Sequence, residues 1–336
     1  MNTNQLMTKA ADNIRILAAA MVEKAKSGHP GGSMSGADFV QVLYSEFLIH
    51  DPENPCWEAR DRFFLDPGHM SPMLYAQLCM TGHFTMEELQ QLRQWGSVTP
   101  GHPERNVARG IENTSGPLGQ GHTFAVGAAI AAKWFNARYG EIHNPTIYAF
   151  ISDGGIQEEI SQGAGRMAGH LKLDNLIMYY DSNEVQLSTS CNEVSSENVA
   201  MKYEAWGWYV QDIDGHDPSA IRQAILNAQA EKNRPSLIIG HTSMGKGCVT
   251  AEGESWEGKT STHGQPLSKS GASFEATVRN LGGDPENPFQ IFPDVQALYD
   301  KRAEELREIT NQRYAAYHEW ATANPLAANE YETFMR

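Results

Sequence analysis

Residues 147–151 and 176–180 are short apolar runs with β-branched members, the pattern of strands buried on both faces of a sheet. The first breaks at Ser152-Asp153-Gly154-Gly155, where paired glycines permit a tight turn, and helical spacing then continues to about residue 170. The second ends at Asp181-Ser182-Asn183. Strand–helix–strand units are right-handed with parallel strands. Asp153 and Asn183 therefore leave the carboxyl ends of two parallel strands, the edge at which open α/β sheets bind ligands. Residues 62–65, 208–213 and 236–240 give three further strands, and 35–47, 86–95, 124–135 and 218–229 further helices. Near the N-terminus Ile14, Leu17, Ala18, Met21 and Ala25 share one helical face, which stops at Ser27-Gly28. The loop that follows, 27–32, reads as too rich in glycine and proline for a helix. The expected fold is a three-layer α/β domain, a parallel sheet with helices on both faces.

Two stretches, 96–121 and 244–268, show little periodicity, and such segments inside a compact domain are more often functional than idle. The helix at 124–135 follows Gly119 and Gly121, where free backbone N–H groups could face an anion. Beyond residue 268 the pattern changes. Leu298, Leu306, Ile309, Tyr317 and Trp320 fall within a stripe about 100° wide at helical period. The expectation is a diphosphate- and metal-binding unit over 1–268 and a helical extension over 269–336, running away from the sheet and packing on a partner.

A chain of 336 residues can bury a large core. Its formal charge of −15 excludes nucleic acid and anionic membrane surfaces as general partners. Cys56, Cys79, Cys191 and Cys248 are scattered, which suits a reducing interior and apolar thiols. No secretory signal or apolar run of membrane-spanning length is visible, so the expected location is the cytoplasm.

Asp153 and Asn183 are hard oxygen donors, suited to Mg²⁺ or Ca²⁺ held jointly with a diphosphate. On spacing alone, a helix cap at Asp153 and a turn at Asn183 stand beside that reading. Four of the twelve histidines, His29, His69, His102 and His263, sit in glycine- or proline-containing loops flanking the same edge. Imidazole can hydrogen-bond phosphate or sugar oxygens and shuttle a proton near neutral pH. The run 116–121 is not the dinucleotide fingerprint, and Met244-Gly245-Lys246-Gly247 lacks P-loop spacing, so Lys246 reads as a surface residue. Asp214-Gly215-His216-Asp217 reads as strand-end structure.

Asp-Gly, about thirty residues, then Asn resembles the thiamine diphosphate motif, usually G-D-G…N, with Ser152 in place of the first glycine. The surrounding EEISQGAGRMAGHLKLDNLIMYYDSN, together with SGHPG, D-x-GH-x-S, TPGHPE, GPLGQG and STHGQPL in that family's order, resembles transketolase specifically. The resemblance implies that Asp153, Asn183 and the carbonyl of Val185 hold Mg²⁺, with Ca²⁺ or Mn²⁺ as substitutes. It implies that His69 and Gly154 contact the diphosphate of thiamine diphosphate and that Gly116 and Leu118 present backbone to the cofactor. His29 and His263 would lie over its thiazolium side, contacting substrate and assisting proton transfer, and His102 would bond the donor sugar's hydroxyls. Glu158 would lie at a dimer interface linking two active sites.

The resemblance covers nearly the whole chain but only the first half of a transketolase. It implies one subunit of a split enzyme, completed by a C-terminal partner chain that supplies the pyrimidine-side domain, in a heterotetramer with two copies of each chain. The implied activity is transfer of a two-carbon ketol unit from a phosphorylated or otherwise anionic ketose to an aldose. Two alternatives remain. The α subunit of a 2-oxo acid dehydrogenase shares D-G…N but would not be expected to carry SGHPG, TPGHPE and STHGQPL together. A non-catalytic homologue would keep the fold alone.

Overall fold

The computed structural model describes residues 2–335; Met1 and Arg336, the outermost residues of the two expected units, lie outside them. Five strands, β1 (Arg62–Leu65), β2 (Ile147–Ser152), β3 (Leu176–Ser182), β4 (Tyr209–Asp214) and β5 (Ser236–His241), form one parallel sheet in the order β1-β2-β3-β5-β4. The register pairs Ser152 with Asp181 and Ser182 with His241, so the carboxyl ends finish level at one edge. All residues of β2 and β3 are buried, which is why they carry no polar alternation. Their side chains still alternate between two cores. Tyr148 and Phe150 join one, and Ile147, Ala149 and Ile151 the other.

The helices in chain order are α1 (Asn4–Ala25), α2 (Pro30–Ser35), α3 (Ala37–Val42), α4 (Ser71–Met80), α5 (Met86–Leu89), α6 (Gln120–Tyr139) and α7 (Asp153–Gln157). They continue with α8 (Glu159–His170), α9 (Val199–Ala205), α10 (Pro218–Ala230), α11 (Leu267–Ser270), α12 (Phe274–Asn280), α13 (Pro293–Ala323) and α14 (Pro325–Met335). Helices α1, α3, α4 and α10 cover one sheet face, where Phe39 stacks on Tyr179 with ring centroids 4.0 Å apart. Helices α6 and α8 cover the other through Ala125, Ala129, Ala164 and Ala168, whose small side chains let them sit close to the strands. The fold is thus the expected layered α/β architecture.

Four elements depart from the sequence expectation. The segment 27–32 is not all loop, because α2 starts at Pro30, a residue whose missing N–H is no loss at a helix start. Its glycines serve close packing: a Cβ on Gly31 would lie 2.4 Å from Met244 Sδ. The helix expected at 86–95 is the single capped turn α5, since Arg93 (φ 60°) and Gly96 (φ 73°) turn the chain back. The helix expected at 124–135 is the longer α6, begun by Gly119 at φ 86°. The C-terminal stripe packs inward only in its first half: Leu298 and Leu306 are buried, while Ile309, Tyr317 and Trp320 are half-buried. Val295, Leu298 and Tyr299 join the α1 core, and Tyr299 Oη donates to Gln77 Oε1 at 2.9 Å. Helix α14 folds back so that the Tyr331 hydroxyl lies 2.9 Å from His143 Nδ1. Among the described residues no helix is long and apolar enough to cross a membrane. Cys79 and Cys248 are buried free thiols, whereas Cys56 is exposed and Cys191 half-buried.

Candidate active site

Strand β2 runs directly into α7, so Asp153 leaves the sheet edge as the first residue of a helix. It caps nothing there. Asp153 Oδ1 accepts from the Tyr180 hydroxyl at 2.5 Å, and Oδ2 accepts from the backbone N–H groups of Asn183 and Glu184, each at 3.1 Å. The carboxylate thus ties the end of β2 to the loop after β3, and the cap reading fails. Asn183 does sit in a turn, with Val185 N–H donating to its Oδ1 at 3.1 Å. Its amide nitrogen is committed elsewhere, donating to Asp181 Oδ2 at 2.9 Å. Asp181 is fully buried and also accepts from Ser35 Oγ at 2.7 Å and Thr242 Oγ1 at 2.6 Å. Those bonds fix the amide and leave the second lone pair of Asn183 Oδ1, beside the one that takes Val185 N–H, open to a ligand.

The motif position filled by Ser152 demands no glycine. Its φ of −106° and ψ of 174° are extended backbone that any residue adopts. Gly154 has tighter limits, since a Cβ there would lie 2.9 Å from Leu118 Cδ1.

The loop 113–118 is pinned to the end of β1. Asn113 donates from Nδ2 to Leu65 O (3.1 Å) and accepts at Oδ1 from Leu65 N–H (3.2 Å), and Ser115 Oγ donates to Asp66 O at 3.1 Å. Asp66 itself accepts from Gly121 N–H at 2.8 Å. The amides at the start of α6 therefore do face an anion, but it is a carboxylate of this chain. Burial pushes Asp66 up to about 6, against the pull of the Gly119, Gly121 and His122 amides.

Three imidazoles form a triangle. Ring centroids are 5.0 Å apart for His29 and His69, 5.3 Å for His69 and His263, and 5.6 Å for His29 and His263. His102 packs near Gly116, where a Cβ would lie 3.8 Å from its Cδ2. Burial is the largest cause lowering all four. His29 falls to about 4, with His263, Arg93 and His102 adding to the effect. Near pH 7 the group is neutral, so these rings offer hydrogen bonds and proton relay rather than positive charge.

All four histidines, Gly116, Leu118, Asp153, Gly154, Glu158, Asn183 and Val185 line one cavity of about 680 Å³ at the carboxyl edge of the sheet. The structure thus brings every candidate residue from the sequence to one place. The donor set suits a hard divalent ion: one carboxylate, one amide oxygen with its nitrogen tied back, and backbone carbonyl. Burial pushes Asp153 up to about 6, against the pull of the Tyr180 hydroxyl, and a cation beside it would offset that penalty. His263 Nδ1 is buried without a protein partner, a ring nitrogen awaiting one.

Residues 6–336 match the family described as "Transketolase, thiamine diphosphate binding domain". The chain belongs to that family. It is 41% identical to "Transketolase 1" of Escherichia coli K12 over 334 residues, 97% of this chain and 49% of that protein. It is 39% identical to "Transketolase" of Geobacillus stearothermophilus over 318 residues, 92% of this chain and 47% of that protein. Among solved structures, the transketolase from Leishmania mexicana superposes with a TM-score of 0.90 at 34% identity, covering 98% of this chain and 49% of that one. A Pichia stipitis transketolase in complex with sedoheptulose-7-phosphate gives 0.91 at 32% identity, over 98% and 48%. The chain spans about half the length of the curated relatives it matches.

Within the transketolase frame, three positions that sequence reasoning passed over hold the site together: Asp66, Tyr180 and Asp181. The signal for Asp181 was a carboxylate directly after the apolar run 176–180, inside a strand buried along its whole length. His216 is structural, standing 2.8 Å from Asp38 Oδ2 and accepting from Ser243 N–H at 2.8 Å. Lys246 pairs with Glu257 at 3.4 Å.

Proposed function

We propose that this chain is the diphosphate-binding part of a transketolase that moves a two-carbon ketol unit from a phosphorylated or otherwise anionic ketose to an aldose, and that a separate chain completes it. The observation that carries this is the convergence of four imidazoles with Asp153, Asn183 and Val185 on one cavity. Membership of the transketolase family and the half-length match to its relatives support it. So does the Pichia stipitis relative's complex with a phosphorylated ketose.

The Asp153 carboxylate, the Asn183 amide oxygen and the Val185 carbonyl would hold Mg²⁺, and Ca²⁺ or Mn²⁺ in its place. His69 and Gly154 would bind the diphosphate of thiamine diphosphate, with Gly116 and Leu118 lining its path. When bound, the cofactor supplies the electron sink for carbon–carbon cleavage. His102 donates to or accepts from the donor sugar's hydroxyls, orienting the ketose. His29 and His263 hold the substrate's reacting oxygen and relay its proton, work that suits rings kept neutral at working pH. Burial around the cluster excludes water and strengthens each of these bonds.

The partner chain would supply the pyrimidine-side domain and meet this one near Glu158, with the 269–336 helices as part of its seat, in a cytoplasmic heterotetramer. The experiment is a ketol-transfer assay on the purified chain, alone and with the polypeptide that accompanies it from its native host. Negligible activity alone and activity on mixing are expected. Turnover by the single chain would overturn the two-chain reading.

A further inference from the structure

Arg93 reaches the histidine cluster from behind the cavity wall. Its backbone is left-handed at φ 60°, an uncommon state for a residue with a side chain, and is held there by its N–H donating to Thr99 O at 3.0 Å. That turn brings the guanidinium against Gly101, where a Cβ would lie 2.7 Å from Arg93 Nε. A side chain at position 101, next to His102, would push the guanidinium aside. Nη1 donates to Ser27 Oγ at 2.9 Å, and Nη2 lies 3.4 Å from His29 Nδ1.

An arginine has no acceptor and does not lose its proton, so Nη2 is the donor and His29 Nδ1 the acceptor. In a neutral imidazole with Nδ1 accepting, the proton sits on Nε2. Nε2 is the ring nitrogen turned toward the 263–264 segment, 3.5 Å from where a Cβ on Gly264 would stand. The geometry points to Arg93 as the positioning residue that fixes His29 in its Nε2–H tautomer, so that His29 meets substrate oxygen as a hydrogen-bond donor. His263, whose Nδ1 has no protein partner, is then the ring free to accept a proton. The groups facing His29 are His69, His263, His102 and Arg93, and no carboxylate among them favours an imidazolium.

The catalytic consequence rests on the transketolase reading above; the tautomer does not. Long-range ¹H–¹⁵N correlation spectra of the histidine-labelled full chain should show His29 protonated at Nε2 only. In Arg93→Leu the pattern should become mixed or invert, and Arg93→Lys should restore it. In the assembled enzyme Arg93→Leu should lower kcat by about 10²-fold, as for a misplaced reacting group, with the KM for thiamine diphosphate unchanged. An unaltered tautomer in Arg93→Leu overturns the inference. Where that variant does not fold, Gly101→Ala, which displaces the guanidinium and keeps its charge, gives the same reading. A lost tautomer preference in a complex that transfers no ketol from any sugar would uphold the inference and sink the functional reading instead.

Discussion

Gly121→Ala probes the joint between α6 and the cavity loop. A Cβ at this position would lie 2.4 Å from Asp66 Cα and 2.8 Å from Asp66 N, backbone atoms that cannot rotate aside. Relief to ordinary carbon–carbon contact needs a shift of more than about 1 Å between the start of α6 and the end of β1. That shift breaks the 2.8 Å bond from Gly121 N–H to Asp66 Oδ1. Loss of such a helix-start acceptor costs about 1 kcal/mol, and overpacking about 1–3 kcal/mol, a total of about 2–4 kcal/mol. With 336 residues and an unfolding entropy of about 2.1 cal/mol/K each, 1 kcal/mol moves the midpoint by about 1.4 °C. Scanning calorimetry at pH 7 should therefore place Gly121→Ala about 3–6 °C below wild type. Gly127→Ala is the internal control. It lies in the same helix, and a Cβ there meets nothing within 4 Å. It should gain about 0.5–1 kcal/mol from lost unfolded-state freedom. A Gly121→Ala midpoint at or above wild type would refute the reasoning.

Asp181→Asn turns one accepting oxygen into a donor, leaving one of Ser35, Thr242 or Asn183 without its partner. Divalent-ion affinity, read by Mn²⁺ titration with thiamine diphosphate, should fall about 10–100-fold while circular dichroism is unchanged; equal affinity would mean Asn183 is oriented by something else. His263→Ala should lower turnover about 10²–10⁴-fold yet keep the cofactor-induced rise in melting temperature, and loss of that rise would contradict its proton-relay role. Burial lowers His50 and His122 to about 3 and His143 to about 4. Between those values and the ordinary 6.5 the unfolded chain binds protons that the folded one refuses, so stability falls as pH drops below about 6.5, by up to about 1.4 kcal/mol per pH unit for each ring. Asp61, Asp66 and Asp153, pushed up to about 6 by burial, act oppositely between 3.8 and 6. Their folded state takes the proton first. At pH 6 these carboxyls are still about half protonated in the folded state, so between pH 6 and 7 they oppose the histidines, but by about 0.4 kcal/mol each against about 0.7 kcal/mol for each ring; the urea midpoint should be lower at pH 6 than at pH 7, and a higher one would contradict the signs.

The sheet was legible because β2 and β3 are buried on both faces and so carry unbroken apolar runs, bounded by the turn residues that begin the site. The histidine loops were legible because four of them, beside glycine or proline, flank one sheet edge and lie in motifs that resemble those of transketolase. The partners of Asp181 were not. Ser35 lies 146 residues away along the chain and Thr242 61, and no local pattern links hydroxyls at that separation to one carboxylate. The short helix α5 failed for a different reason, since apolar spacing continues to residue 95 while the backbone turns left-handed at Arg93. In α13 the stripe gave the helix but not its direction, because an inward stripe and a partner-facing one have the same period. Glycine loss of entropy at 31–32 was outweighed by close contacts with Met70, Met244 and Thr262 that only the folded chain supplies.

Anomalous diffraction from the assembled protein, crystallised with thiamine diphosphate and Mn²⁺ in place of Mg²⁺, tests the metal cradle most directly. One peak is expected within about 2.0–2.3 Å of an Asp153 carboxylate oxygen, Asn183 Oδ1 and the Val185 carbonyl. A peak elsewhere, with Asp153 and Asn183 bonded only to protein as Tyr180 and Asp181 now hold them, would contradict the account.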